Sequence, residues 1–255
     1  MRRMTLTIAV VAALPLLARP PVATGQTDDW TTLTSTLEKA ALSGTMPVVK
    51  DQRVAALREL AKAPTGGRAP LIRYTIAYAD WRMAFAPTIP VQEQADFVAD
   101  GVGQLGLAIA ATPDFAEAIG LLAALDGAQI AKNPDLGMTL GPEFLALLDR
   151  AFGLEPANPR LLVIRGQSLF HTPVEYGGSA QEAEACFRRA LDAFVKEPAT
   201  KTWPNWGRFD AHAWLGQVLA ARGQKAGAKS EYEAALEIAP DSGWVRYTLL
   251  PQVMK

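Results

Sequence analysis

The chain has 255 residues, with 25 Lys and Arg against 26 Asp and Glu, a formal net charge of −1, one cysteine and two histidines. That balance excludes a basic nucleic-acid surface, because phosphate backbones are held by concentrated Lys and Arg, and beyond the N-terminus the longest basic cluster is Arg188-Arg189. The lone Cys186 excludes an internal disulfide, so the fold has to be held by its apolar core, for which this length is ample.

Arg2 and Arg3 precede an apolar run from Thr5 to Ala18, and the small residues Ala23 and Gly25 frame a cleavage point. This is the pattern of a secretory signal peptide over 1–25, with a mature start at Gln26 and a single domain over 26–255. The run is shorter than the roughly 20 apolar residues of a spanning helix, and no nearby cysteine offers a lipid anchor. Loss of Arg2, Arg3 and Arg19 leaves 22 basic residues against 26 acidic ones, a net charge of about −4. An exported chain without disulfides suits the bacterial periplasm, with release further out as the alternative.

The mature chain reads as helix after helix. Asp28 is a candidate cap for a first helix carrying Leu33, Leu37 and Ala41, ended by Gly44, with Pro47 extending the connection. Asp51 caps a second, with Val54, Leu57 and Ala61 on one face, closed by Pro64 and Gly66-Gly67. A third begins near Pro70 and carries Tyr74, Tyr78, Trp81 and Phe85 at helical spacing. That aromatic stripe reads as a buried face, the rival reading being the wall of a ligand groove. A long helix follows from about Gln92 to Ala111, then one from Asp114 to Ala131 with Ala118, Leu121, Leu122 and Leu125. Asn133 to Gly141 reads as a loop, and Pro142 as the first turn of a helix with Leu145, Leu148, Ala151 and Phe152. No alternating β-branched run argues for a sheet.

Ala108, Ala151, Ala190 and Ala235 each precede a helix stop, and three residues before them stand Leu105, Leu148, Phe187 and Tyr232. Such self-similarity marks a helical solenoid whose hairpins bury their apolar faces only against neighbours. The cleanest unit runs from Phe209 to Ser242: Leu215, Gly216 and Leu219 share one face of its first helix, Gly223 marks the turn, Ala228, Tyr232 and Ala235 face back from the second, and Pro240 stops it. Gly166, Leu169, Ala183, Phe187 and Ala190 repeat this pattern with five more residues between the helices. The insertion lies within His171 to Ser179, where Ser179 is placed to cap the next helix. A second long connection, Lys196 to Gly207, holds Trp203 and Trp206, which either pin the loop or face a ligand.

The spacing of Phe209 to Ser242 resembles a tetratricopeptide repeat. The Thr172-Pro173 and Gly177-Gly178 interruption, the Pro204-Asn205-Trp206-Gly207 segment and the Trp244-Val245 ending together resemble an uncharacterised family of exported bacterial tetratricopeptide-repeat proteins, most strongly from Pro159 onward. The resemblance implies an all-α, tetratricopeptide-like helical-hairpin solenoid with inserted loops and a short C-terminal capping helix. It implies export and a binding scaffold, and it carries over no catalytic residue.

The residues give no enzyme reading of their own. Neither histidine belongs to a metal-ligand pattern, so no metal and no cofactor is expected. His212 reads as a part-buried packing residue, and Cys186 sits on the stripe facing the partner helix, where a thiol acts as a small apolar group. The one polar constellation, His171, Glu175 and Tyr176, reads as capping rather than acid-base chemistry. In a solenoid the first helices of successive pairs line a concave face, and their residues off the apolar stripe are the candidates for holding a protein or extended peptide. These are Arg160, Gln167 and His171 from one unit and Asp210, Trp214 and Gln217 from the next, with glutamines able to hydrogen-bond a peptide backbone. The alternatives are a structural subunit of a cell-envelope complex, and a small-ligand receptor or hydrolase using the 171–179 and 203–207 loops.

Overall fold

The computed structural model describes residues 29–198 and 203–254. The expected signal peptide, its cleavage point and the Asp28 cap lie outside the described residues. Among the described residues, ten helices form five antiparallel hairpins: α1 (Asp29–Ser43) with α2 (Met46–Lys62), α3 (Ala69–Ala84) with α4 (Val91–Ala111), α5 (Ala116–Lys132) with α6 (Gly137–Leu154), α7 (Pro159–His171) with α8 (Ala180–Phe194), and α9 (Arg208–Ala221) with α10 (Lys225–Ile238). A π turn, Trp244–Leu249, and a short helix, Leu250–Val253, close the far end by burying Val245, Leu249 and Val253. There is no strand among the described residues, and no helix there is long and apolar enough to cross a membrane.

The first helices α1, α3, α5, α7 and α9 pack one on the next, and the second helices lie outside them. All four marker alanines, Ala108, Ala151, Ala190 and Ala235, are fully buried on second helices, together with Leu105, Leu148, Phe187 and Tyr232. The matched glycines explain the hairpin geometry. A methyl group on Gly216 would run into the Tyr232 ring, and one on Gly166 would stand 2.7 Å from Phe187, so each large ring of the second helix lies on bare backbone of the first.

Three local expectations are corrected. The second helix starts at Met46 rather than Asp51, with Pro47 in its first turn, where a missing N–H costs nothing. The segment read as a loop up to Gly141 is a short 3-10 turn, Pro134–Leu136, followed at once by α6, so Pro142 lies inside the helix. Its ring is exposed, as is Met138, the residue one turn back whose carbonyl the missing N–H leaves without its usual helical donor. Phe85, the last of the aromatic stripe, falls at the C-cap of α3 and is exposed, whereas Tyr74, Tyr78 and Trp81 are core.

The described residues of both inserted loops show specific local contacts. In the first, Ser179 accepts a hydrogen bond from the Glu182 N–H at 3.2 Å and so caps α8, while Gly178 passes so close to the Thr172 carbonyl that no side chain fits. In the second, Gly207 takes φ 110°, which brings the chain against Phe194 and Arg160 before α9 begins.

Candidate functional site

The inner face formed by the first helices is divided into two parts. Over α3 it is occupied by the chain itself: Trp203 donates its indole N–H to Thr75 Oγ1 at 2.9 Å, and Trp206 donates to the Tyr74 hydroxyl at 2.7 Å. Their rings lie among Tyr74, Tyr78 and Trp81 with centroids 5.3 to 6.4 Å apart. Both tryptophans are buried, so they pin the loop to the scaffold.

A buried polar network surrounds this plug and joins all five first helices. From α1 to α9 it runs from Glu38, which accepts the Tyr78 hydroxyl, to Arg82, whose Nε donates to Tyr78 and whose Nη1 and Nη2 donate to the two Asp210 oxygens at 2.8 and 2.7 Å. Burial is the main cause that pushes the Glu38 carboxyl up to about 7, against the pull of Arg82 and the Tyr78 hydrogen bond. A second branch centres on Arg160, 1% exposed, which donates to both Glu197 oxygens at 2.6 and 3.0 Å and stands 3.5 Å from Glu117. Asn158 caps α7 and also donates to Glu117 at 3.0 Å.

Two of the six residues expected to face a ligand are therefore consumed by the fold. Arg160 and Asp210 lie at the N-terminal ends of α7 and α9, under the loop, and both are buried in ion pairs. One to three turns further along the same helices, the face opens. Gln167, Trp214 and Gln217 are half-buried and His171 is exposed. The structure brings His171 and Trp214 together edge to face with centroids 5.0 Å apart, and adds Phe170 beside them and Trp244 at 5.5 Å from Trp214. Desolvation of the ring lowers the pKa of His171. The amide Nε2 of Gln217 is buried with no hydrogen-bond partner. Trp244 is a member of this cluster that helical spacing could not supply, since it comes from the C-terminal turn.

The remaining polar candidates have local partners. His212 pairs with Glu231 at 2.7 Å, and Cys186 is buried. Glu175 and Tyr176 are exposed, and neither loop expected to serve a receptor or hydrolase lines the cleft between the first and last hairpins. Among the described residues no group of three His, Cys, Asp or Glu is placed to hold a metal ion.

A family model described as tetratricopeptide repeat matches residues 209–242. None of the curated proteins matches the chain. Among solved structures, TTC0263, a thermophilic TPR protein of Thermus thermophilus, is similar with a TM-score of 0.59 and 16% identity, over 87% of this chain and 100% of that one. The HusA haemophore from Porphyromonas gingivalis is similar with a TM-score of 0.59 and 20% identity, over 79% of this chain and 96% of that one. At such identities the likeness is one of fold. Helix order, hairpin packing and the matched repeat together make this chain an all-α, tetratricopeptide-like solenoid.

Proposed function

We propose that the chain is an exported, non-catalytic scaffold that holds an extended protein segment along the open part of its inner face, over Gln167, His171, Trp214 and Gln217. The observation that carries this reading is the aromatic cluster of His171, Trp214 and Trp244, left partly exposed beside an unpartnered Gln217 amide where the rest of the inner face is filled. Aromatic anchors supply contact area at low entropic cost, and an amide donor is suited to a backbone carbonyl. The test is capture from envelope extract by residues 26–255, with a photo-crosslinker at position 167 reporting contact. The expected result is one partner, crosslinked from position 167 and lost when Trp214→Ala is combined with Gln217→Ala. A partner retained by that double variant places binding elsewhere and removes the reading.

The same cluster favours a second reading, in which a flat aromatic ligand stacks between the rings. The similar HusA protein is a haemophore by name, and three neighbouring rings with one histidine suit such a ligand. Titration with haemin, read by its visible absorption, separates the two: a saturable spectral change lost in His171→Ala favours this reading, and an unchanged spectrum favours the polypeptide.

A further inference from the structure

The first and last hairpins meet at a cleft of about 120 Å³, lined by residues 41–44 at the C-terminal end of α1, by Arg82, Asp210, Ser242 and Trp244. It has room for a group of a few heavy atoms. Its chemistry is uneven in sign. Arg82 is already engaged, donating from three nitrogens to Tyr78 and Asp210 and lying against the rings of Tyr78, Trp81 and Trp206. An incoming anion would have to compete with Asp210 for it, with Glu38 adding a second carboxylate to the same relay.

The other polar side chains lining the cleft, Ser43, Asp210 and Ser242, can all accept a hydrogen bond, and none of them is cationic. The last turn of α1 carries no basic side chain; the Thr45 N–H and Ser43 hydroxyl cap the Ala40 carbonyl and the Gly44 N–H reaches that of Ala41, but no cation offsets the negative end of the helix, and α2, which starts at Met46, contributes no lining residue. Each Asp210 oxygen receives one hydrogen bond and keeps lone-pair capacity. Ser242 is 1% exposed, and its hydroxyl has no hydrogen-bond partner, an expensive state for a buried polar group. Trp244 closes the cleft with a ring that is 37% exposed, a surface that attracts a cation over its face.

We propose that this cleft binds a primary ammonium group, with the Ser242 hydroxyl and the Asp210 carboxylate as acceptors and the Trp244 ring as its wall. Two sources share that chemistry: the side chain of a lysine in a bound segment and a free alkylamine. Trp244 also borders the open aromatic cluster, so a lysine from a segment lying there reaches the cleft without a gap. The inference stands apart from the polypeptide reading, because a small amine alone tests it.

The experiment is calorimetric titration of residues 26–255 with butylammonium chloride, with sodium butyrate as the control of opposite charge, and with the capped tripeptide acetyl-Gly-Lys-Gly-amide. Saturable binding of butylammonium without binding of butyrate is the expected result, weakened about fivefold or more by Ser242→Ala. Trp244→Leu, at a partly exposed position that leaves the core intact, is expected to weaken it likewise. A tripeptide bound more tightly than butylammonium identifies lysine as the source, and the reverse order identifies a free amine. Equal binding of butyrate, no heat with butylammonium, or an affinity unmoved in both variants overturns the proposal.

Discussion

Arg82 and Asp210 are 128 residues apart in the chain and face each other through two parallel hydrogen bonds of 2.8 and 2.7 Å. The pair ties α3 to α9 across the inner face, and through Tyr78 and Glu38 it also reaches α1. An open solenoid touches only its neighbours; here the first, second and last hairpins share one buried relay.

That relay predicts an asymmetric response to mutation. Asp210→Ala leaves a guanidinium buried without its counterion and is expected to lose about 3–5 kcal/mol. Replacing both partners, Arg82→Met with Asp210→Leu, removes the uncompensated charge and should recover most of that loss. Urea unfolding of the three proteins checks it; a double variant no more stable than Asp210→Ala alone would sink the idea that the uncompensated charge is what costs.

The tryptophan loop is fastened by two specific bonds in addition to packing, from Trp203 to Thr75 and from Trp206 to Tyr74. Trp206→Phe keeps a ring in the aromatic stack but loses the donor to Tyr74, and Tyr74→Phe loses the acceptor of the same bond. Each change should cost about 1–3 kcal/mol, Tyr74→Phe the more because it also gives up the bond from Tyr74 to Glu117, and the double variant should cost less than the sum of the two, since the bond between Trp206 and Tyr74 can be lost only once. Additive losses in a double-mutant cycle would show that the two groups act separately.

The glycines divide sharply by their surroundings. Gly216→Ala and Gly166→Ala push a methyl into Tyr232 and Phe187, so each is expected to destabilise by about 1–3 kcal/mol. Gly106, inside α4 with no atom within 4 Å of a methyl placed there, should gain up to about 1 kcal/mol as alanine from helix propensity alone. Thermal unfolding of the three variants orders them; a stabilised Gly216→Ala would refute the close hairpin contact.

These glycines also show why the hairpins were legible. A ring on the second helix needs bare backbone opposite it, so in the last two hairpins Gly166 with Phe187 and Gly216 with Tyr232 leave a signature at matched spacing, as do the alanines that follow. Helical faces are local and periodic. The division of the inner face is neither: Glu197 meets Arg160 37 residues away, and Trp206 meets Tyr74 across 132, in loops whose length obeys no repeat. Hence Arg160 and Asp210, on the inner stripe by spacing, are taken by the fold, while His171 and Trp214 on the same stripes stay open. Pro142 departs from its expected place for a local reason, since proline marks a first turn most often, but here it stands in the second turn of a helix at an exposed position.

Glu38 gives the fold a pH dependence whose sign follows from its burial. Its carboxyl is raised from an ordinary 4.5 to about 7, chiefly by desolvation. The folded state therefore holds the proton more tightly than the unfolded chain, and the stability this contributes is complete below about pH 4.5 and lost as pH rises through 7. On the order of 1–3 kcal/mol should disappear between pH 5 and pH 8 from this one group. Glu38→Gln keeps an acceptor for the Tyr78 hydroxyl without the charge, so the variant should gain on the native protein steadily over that interval. His171, whose pKa burial lowers, titrates with the opposite sign, and its contribution cancels because both proteins contain it. Urea unfolding at pH 5, 6, 7 and 8 measures the difference: a curve that rises toward pH 8 is the expected outcome, and a flat one means that Glu38 reaches water or a cation when it ionises.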